Sequence, residues 1–337
     1  MPTIEDVARH AGLSRTTVSR VINNQPYVCE EKRQRVLSSM GDLGYVPNSS
    51  ARRLRNKKTE TIAVLLPRIT NPFFSHMMEA MEKKASEWGY QVIVCQTHYS
   101  ADKEIDYLEL LRKKQVDGLI MTSVHNDWTK IEEYLASGPI VLCNENMEEA
   151  NTAIIHIDQK QAAYDATMHL VEQGCKKLAF LCGNTESSIT RARRSGFMKA
   201  LHNRGVAFVE HDSFQEAMDV DNGREILSII QEEDPEIDGI FTGSDEVAAG
   251  IIYEAIQRGI SIPEDLAVVG FDNQTISMLM NPSISTVEQP IVDMANKSVE
   301  VLIQHIEQHL RQKREEYVFD HTLQQRNSTM RNIAVPM

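Results

Sequence analysis

The sequence is short of cysteine, of long apolar runs and of catalytic signatures, and each shortage removes a class of protein. Only five of its 337 residues are cysteine. Cys29, Cys95, Cys143, Cys175 and Cys182 are scattered and include no C-x-x-C pair. That argues against a disulfide framework or a zinc ribbon and suits a reducing cytoplasm. No apolar stretch approaches the roughly 18 residues of a membrane span. The opening MPTIEDVARH has no basic segment followed by an apolar run, so no secretory signal is expected. There is no G-x-S-x-G, no Walker loop, no H-E-x-x-H, and no G-x-G-x-x-G after the first strand candidate. No enzyme activity, cofactor or metal is expected. Tandem repeats and low-complexity segments are missing as well.

What is there is a globular composition, 42% hydrophobic and 25% charged. The length predicts about two domains, with room for a small extra module. The net charge of -13 is unevenly spread. Residues 1–58 hold eleven Lys/Arg against five Asp/Glu, a net of +6, which leaves -19 for the rest. A basic head on an acidic body suggests that the head meets a polyanion. Charge alone does not separate that from a solvated tail.

Three short helices are predicted in the head. The first is Ile4 to Ala11, with Thr3 and Asp6 spaced as a capping box. Gly12 breaks it, and Ser14 can cap a second helix through Val18, Val21 and Ile22. The third runs from about Glu30 to Leu43, with Val36, Leu37, Met40 and Leu43 inward, and stops at Gly44. This is the helix-turn-helix layout. The second helix would present Arg15, Thr16 and Thr17 on its first turn to a major groove, with Arg20 one turn on. From Tyr45 the chain becomes YVPNSSARRLRNKK, with five basic residues between Arg52 and Lys58. It reads as a linker with a possible short helix that is marginal alone.

After the linker, apolar runs alternate with period-3.6 segments. Strand candidates are Ile62–Leu66, Gln91–Cys95, Gly118–Met121, Ile140–Cys143, Leu178–Cys182, Gly239–Thr242 and Ala267–Phe271. Helices are predicted at Phe73–Trp88, Ile105–Lys114, Gln161–Gln173, Ala192–Arg204 and Glu246–Arg258. Such alternation over ~280 residues predicts two doubly wound parallel sheets. His305 and His309 sit one helical turn apart, but Glu307 points the other way and no cysteine is near. A solvated helix face is expected there in preference to a metal site.

The string IEDVARHAGLSRTTVSRVIN (Ile4 to Asn23) resembles the head of the lactose/galactose repressor family of bacterial transcription regulators. Leu13 and Ile22 are conservative departures from it. The resemblance continues through Leu43-Gly44-Tyr45-Val46-Pro47-Asn48, Ala51-Arg52-Arg53-Leu54, Asn71-Pro72-Phe73-Phe74, Val116-Asp117-Gly118, Gly196-Phe197, Val268-Val269-Gly270-Phe271-Asp272, Ser285-Thr286-Val287-Glu288-Gln289-Pro290 and Arg326-Asn327-Ser328-Thr329. It covers essentially the whole chain.

The resemblance implies an effector-responsive transcription regulator, most simply a repressor, that binds a palindromic double-stranded operator as a homodimer. It implies an all-α head at 1–46, a hinge helix or linker at 47–60, and an α/β effector domain of two subdomains. These would span 61–158 with 290–318, and 159–289 with 319–333. The DNA-contacting positions would be Thr3, Ser14, Arg15, Thr16, Thr17, Ser19, Arg20 and Asn23, joined by Asn48, Ala51, Arg53 and Leu54 in the hinge. Leu54 holds the place of the family's minor-groove wedge, which kinks the duplex. Arg55 stands where many relatives have alanine, a departure from the family's hinge pattern.

Effector positions are implied at Phe73 and Phe74 (from the purine-repressor branch), Arg193, Ser244, Asp272 and Gln289, with Asn144 and Glu145 on weaker alignment. An arginine facing an aspartate suits a polyhydroxylated ligand such as a sugar, sugar acid or sugar phosphate. SFQEAMDVDNG, ending at Gly223, is longer than the family's loop there, so the aromatic ligand residue of some members is not carried over. No heptad tail follows Arg326, so a dimer is expected. A transporter's solute-binding protein would share the body but lacks the head. A sugar-processing enzyme is disfavoured by the missing catalytic motifs.

Overall fold

Two parallel-dominated sheets organise the body of the computed structural model, which describes residues 2–23, 25–46, 58–185, 187–209, 214–215, 217–310 and 312–331. The chain divides into two units, residues 1–59 and 60–337.

The head holds helices Ile4–Ala11, Arg15–Ile22 and Glu30–Leu43. Thr3 and Asp6 form the reciprocal capping box, and Ser14 caps the second helix by accepting from Thr17 N at 3.2 Å. The turn between them needs a left-handed residue, and Gly12 supplies it at φ +63°. Arg35 then donates to Ala11 O at 2.7 Å and ties the third helix to that turn. Val7, Ala8, Ala11, Val18, Val21 and Val36 make the core. Leu37 departs from expectation: it is exposed, whereas Ser39 is buried. The inward stripe runs through Val36, Met40 and Leu43, and Leu37 lies about 100° round the helix from Val36.

In the body, the first sheet contains β1 (Thr61–Leu66), β2 (Gln91–Gln96), β3 (Gly118–Met121), β4 (Ile140–Cys143), β5 (Ala153–Ile157) and β11 (Glu315–Phe319). Its order is β11-β5-β4-β3-β1-β2, with all pairs parallel. The second contains β6 (Lys177–Leu181), β7 (Ala207–Val209), β8 (Gly239–Thr242), β9 (Ala267–Phe271), β10 (Ser285–Glu288) and β12 (Thr322–Gln324). Its order is β12-β10-β9-β8-β6-β7, and only β12 runs antiparallel. The chain thus passes between sheets near 158, near 289 and near 320. Central strands such as TIAVLL and AVVGF are buried along their whole length, as strands covered on both faces must be.

Two sequence expectations change here. Helix Ile291–Gln308 ends before His309, and His305 is buried with Nδ1 unpartnered, so the pair is not a solvated face. Glu307 instead accepts from the Tyr90 hydroxyl at 2.7 Å. The segment ending at Gly223 is not all loop, because Asp219 caps a helix Val220–Glu233 that contains Gly223.

That helix crosses helix Asp245–Gln257 so closely that no side chain fits between them. A Cβ on Gly250 would lie 2.1 Å from Val220 O, and one on Gly223 would lie 2.3 Å from Val247 O. Backbone rather than a pliable side chain occupies the space, so Gly250→Ala must push the helices apart. It is expected to destabilise the body by about 2 kcal/mol. Urea unfolding measures this, and an unchanged midpoint would contradict the close crossing.

Candidate functional site

The exposed face of helix Arg15–Ile22 is the first candidate surface. Arg15, Thr16, Ser19 and Arg20, joined by Gln25, line one shallow concavity. Arg15 is held by an exposed ion pair to Glu5 at 3.2 Å, which is easily exchanged for a phosphate or base. Thr3, Ser14 and Thr17 serve the helix caps, and Asn23 donates to Ser19 O at the helix end. Asn48, Ala51, Arg53 and Leu54 lie outside the described residues.

The second candidate is a cavity of about 150 Å³ in the body. Phe73, Phe74, Asn144, Arg193, Ser244, Asp272 and Gln289 all line it, and so does Glu145. Each arrives by a local device. Asn71 caps helix Pro72–Glu87 by accepting from Phe73 N at 2.9 Å, and Pro72 occupies the first turn, so both phenyl rings start the helix. The rings meet edge to face at 5.1 Å; Phe73 also enters the core while Phe74 packs against it. Ser244 caps helix Asp245–Gln257 through Val247 N at 3.3 Å, so it is a cap and a wall at once.

Asn144 and Asp272 follow β4 and β9 with φ of +78° and +95°. Such backbone costs about 1 kcal/mol or more at a non-glycine residue. In each case the neighbouring strand holds it: Asn144 N donates to Ile155 O and Asp272 N to Val287 O, both at 2.7 Å.

Beneath the cavity runs a hydrogen-bonded chain. Arg193 Nε donates to Gln159 Oε1 at 2.8 Å and Nη1 to Gly243 O at 2.9 Å, while its guanidinium lies over the Phe271 ring at 3.4 Å. Gln159 Nε2 reaches Asn144 Oδ1 at 3.3 Å and Gln289 Oε1 at 3.4 Å. Gln289 Nε2 donates to Asp272 Oδ1 at 2.7 Å. Arg193 and Asp272 do not touch as an ion pair; protein groups already occupy each of them. Gln159 was not expected, yet it joins the chain crossing near 158 to the one near 289.

Burial governs the charges. It pulls Arg193 down to about 10, against the influence of Asp272 and Glu145. It raises the Asp272 carboxyl, opposed by Arg193 and the bond from Gln289, and lowers His125. Glu145 is pushed up to about 7 by burial, opposed by bonds from Ser188 and Val124 N.

Sequence reading missed Tyr99, Thr122, Ser123, His125, Thr190 and Met218 on the wall. A positional signal existed for Thr122 and Ser123, because they directly follow β3 at the sheet end where α/β ligands bind. For Tyr99 and His125 there was none, since loops carry them in.

Glu145 makes a pH signature. Folded, its carboxyl keeps a proton to about pH 7, whereas the unfolded chain releases it near 4.5. The folded state binds more protons across that window, so this residue's contribution to stability falls as pH rises through it. The loss approaches about 3 kcal/mol above the window. Glu145→Gln is expected to flatten the fall in melting temperature between pH 5 and pH 7.5, and an unchanged slope would contradict the assignment.

Comparison with known proteins places these features. Residues 3–48 match the bacterial regulatory proteins of the lacI family, and residues 59–328 match the periplasmic binding proteins and sugar binding domain of the LacI family. The chain is 40% identical over 306 residues to the NTD biosynthesis operon regulator NtdR of Bacillus subtilis (strain 168), covering 91% of this chain and 93% of that protein. It is 38% identical over 308 residues to the ribose operon repressor of Halalkalibacterium halodurans, covering 91% of each. The fold matches the lac repressor dimer bound to operator and the anti-inducer ONPF, with a TM-score of 0.85, 23% identity and 98% and 99% of the two chains covered. The chain belongs to the LacI family of DNA-binding transcription regulators, with a helix-turn-helix head and a sugar-binding-type body.

Proposed function

We propose that this regulator is an effector-responsive repressor that binds a pseudo-palindromic operator as a homodimer. Its effector is a small polyhydroxylated molecule such as a sugar, sugar acid or sugar phosphate. The observation that carries this reading is the convergence of all eight effector positions on one cavity at the carboxyl ends of parallel strands. The relative at 38% identity is named for ribose, which is consistent with a sugar-sized ligand. The body divides into one subdomain at 61–158 and 290–318 and another at 159–289 and 319–333, with the cavity between them.

Helix Thr275–Leu279 leaves Met278 and Leu279 exposed, apolar side chains suited to contact with a second copy. In the head, Arg15, Thr16, Ser19 and Arg20 read base edges and phosphates, while Thr3, Ser14, Thr17 and Asn23 set the helix that carries them. Asn48, Ala51, Arg53 and Leu54 act in the minor groove, with Leu54 as the wedge.

Thr16→Ala and Arg20→Ala are expected to relax sequence preference by about 1–3 kcal/mol per lost base contact. Competition binding against mutated duplexes measures it. A uniform loss on all duplexes would reduce these residues to phosphate contacts.

Ligand bound at Arg193 and Asp272 competes with Gln159 and Gln289 for their hydrogen bonds, and so biases the two subdomains through the crossing chain segments. A thermal-shift screen of sugars, sugar acids, sugar phosphates and purines identifies the ligand. Asp272→Ala is expected to remove that ligand's effect on operator affinity while operator binding persists. Wild-type ligand affinity in both Asp272→Ala and Arg193→Ala would place the pocket elsewhere.

A further inference from the structure

The cavity holds more buried acid than buried base. Of its lining side chains, Glu145 and Asp272 are carboxylic acids, Arg193 is the buried cation, and burial disfavours the charged form of His125. Arg193 is already occupied by Gln159, Gly243 O and the Phe271 ring. Asp272 shares its field and takes the bond from Gln289. Glu145 also feels the field of Arg193, but among the described residues no cation bonds to it directly. It is only 2% exposed, and it accepts from the Ser188 hydroxyl and from Val124 N at a long 3.4 Å. Among the described residues no cation stands within 4 Å of it. Of the charged groups around it, Glu104 opposes its ionisation and Arg191 favours it from a distance. Glu104 itself is satisfied by His125 N, Asn126 N and Asn126 Nδ2. A buried carboxylate has room for about four hydrogen bonds and needs a counter-charge.

We propose that the effector carries a protonated amine that pairs with Glu145, so that the ligand class is an amino sugar or an amine-bearing polyol. This rests on the reading of the cavity as a sugar-type effector site. The ammonium would supply donors and charge where the protein leaves both short, and Asp272, Gln289 and Asn144 would take the hydroxyls. A neutral sugar would offer hydroxyls to the carboxyl but no counter-charge. An anionic ligand would add to the acidic excess at this end.

The test uses the full chain at pH 6.5, where Glu145 is largely protonated and sugar amines are charged. D-glucosamine, D-galactosamine and D-mannosamine are titrated by calorimetry beside their parent hexoses and N-acetyl derivatives. At least one free amine is expected to bind about tenfold or more tighter than its parent and its N-acetyl form. Its binding should expel roughly 0.7 proton, read from two buffers of different ionisation enthalpy. Glu145→Gln, shown folded by a cooperative melt, should bring the amine-to-parent ratio close to one and abolish proton release. Parent hexoses that bind as tightly as the amines would overturn the amine assignment and leave the sugar reading standing. An amine preference that survives in Glu145→Gln would overturn the role of Glu145. Binding by none of the nine sugars, with a positive thermal shift from a non-sugar, would overturn both readings.

Discussion

A guanidinium taken out of water must keep its hydrogen bonds, and the burial of Arg193 is the constraint on which the body's architecture turns. Satisfying it requires an acceptor from the first chain crossing (Gln159), a carbonyl from the end of β8 (Gly243) and a ring from β9 (Phe271). Those partners come from three separate stretches of chain. The sheet order that brings β8 beside β9 is therefore also what makes the arginine tolerable inside. Because Gln159 turns its amide to Asn144 and Gln289, a change at Arg193 is felt by both sheets.

The two sheets use one device at the cavity. Each presents a polar residue directly after a buried strand, with a left-handed backbone fixed by an amide bond to the neighbouring strand. Asn144 and Asp272 are thereby turned off the strand direction and into the space between the sheets. Neither position is glycine, so the conformation is held against local preference, a pattern typical of residues placed for recognition. Both amides point at the neighbouring strand, which keeps their side chains free to meet ligand or crossing glutamines. Coupling between effector and DNA in this LacI-family regulator would then pass through packed strands and short polar links.

Much of this was legible in the sequence, for a physical reason. Strands such as GLIM, GIFT and AVVGF are apolar throughout because both faces are covered, and their helices keep a clear 3.6-residue period. Caps at Thr3 and Ser14 were readable because a cap is a local event. Strands β10, β11 and β12 were not read: polar residues fill most of β10, β12 has only three residues, and charged residues interrupt β11, which takes its register from β5. β5 itself was hidden by His156 and by a helix that begins two residues after it ends. Gly223 looked like a loop residue, and its role as a contact between two helix backbones exists only once Gly250 is beside it. The cavity's strand-end residues could be placed in advance. Gln159, Tyr99 and His125 could not, since their positions depend on how one sheet faces the other.

We propose that occupancy of the cavity and occupancy of the operator face are energetically linked. The most direct measurement is the affinity of the identified effector for the full chain, by calorimetry, with and without a saturating operator duplex. Operator is expected to change effector affinity by about 5- to 150-fold, and effector to change operator affinity by the same factor. Equal effector affinities in the two titrations would contradict it.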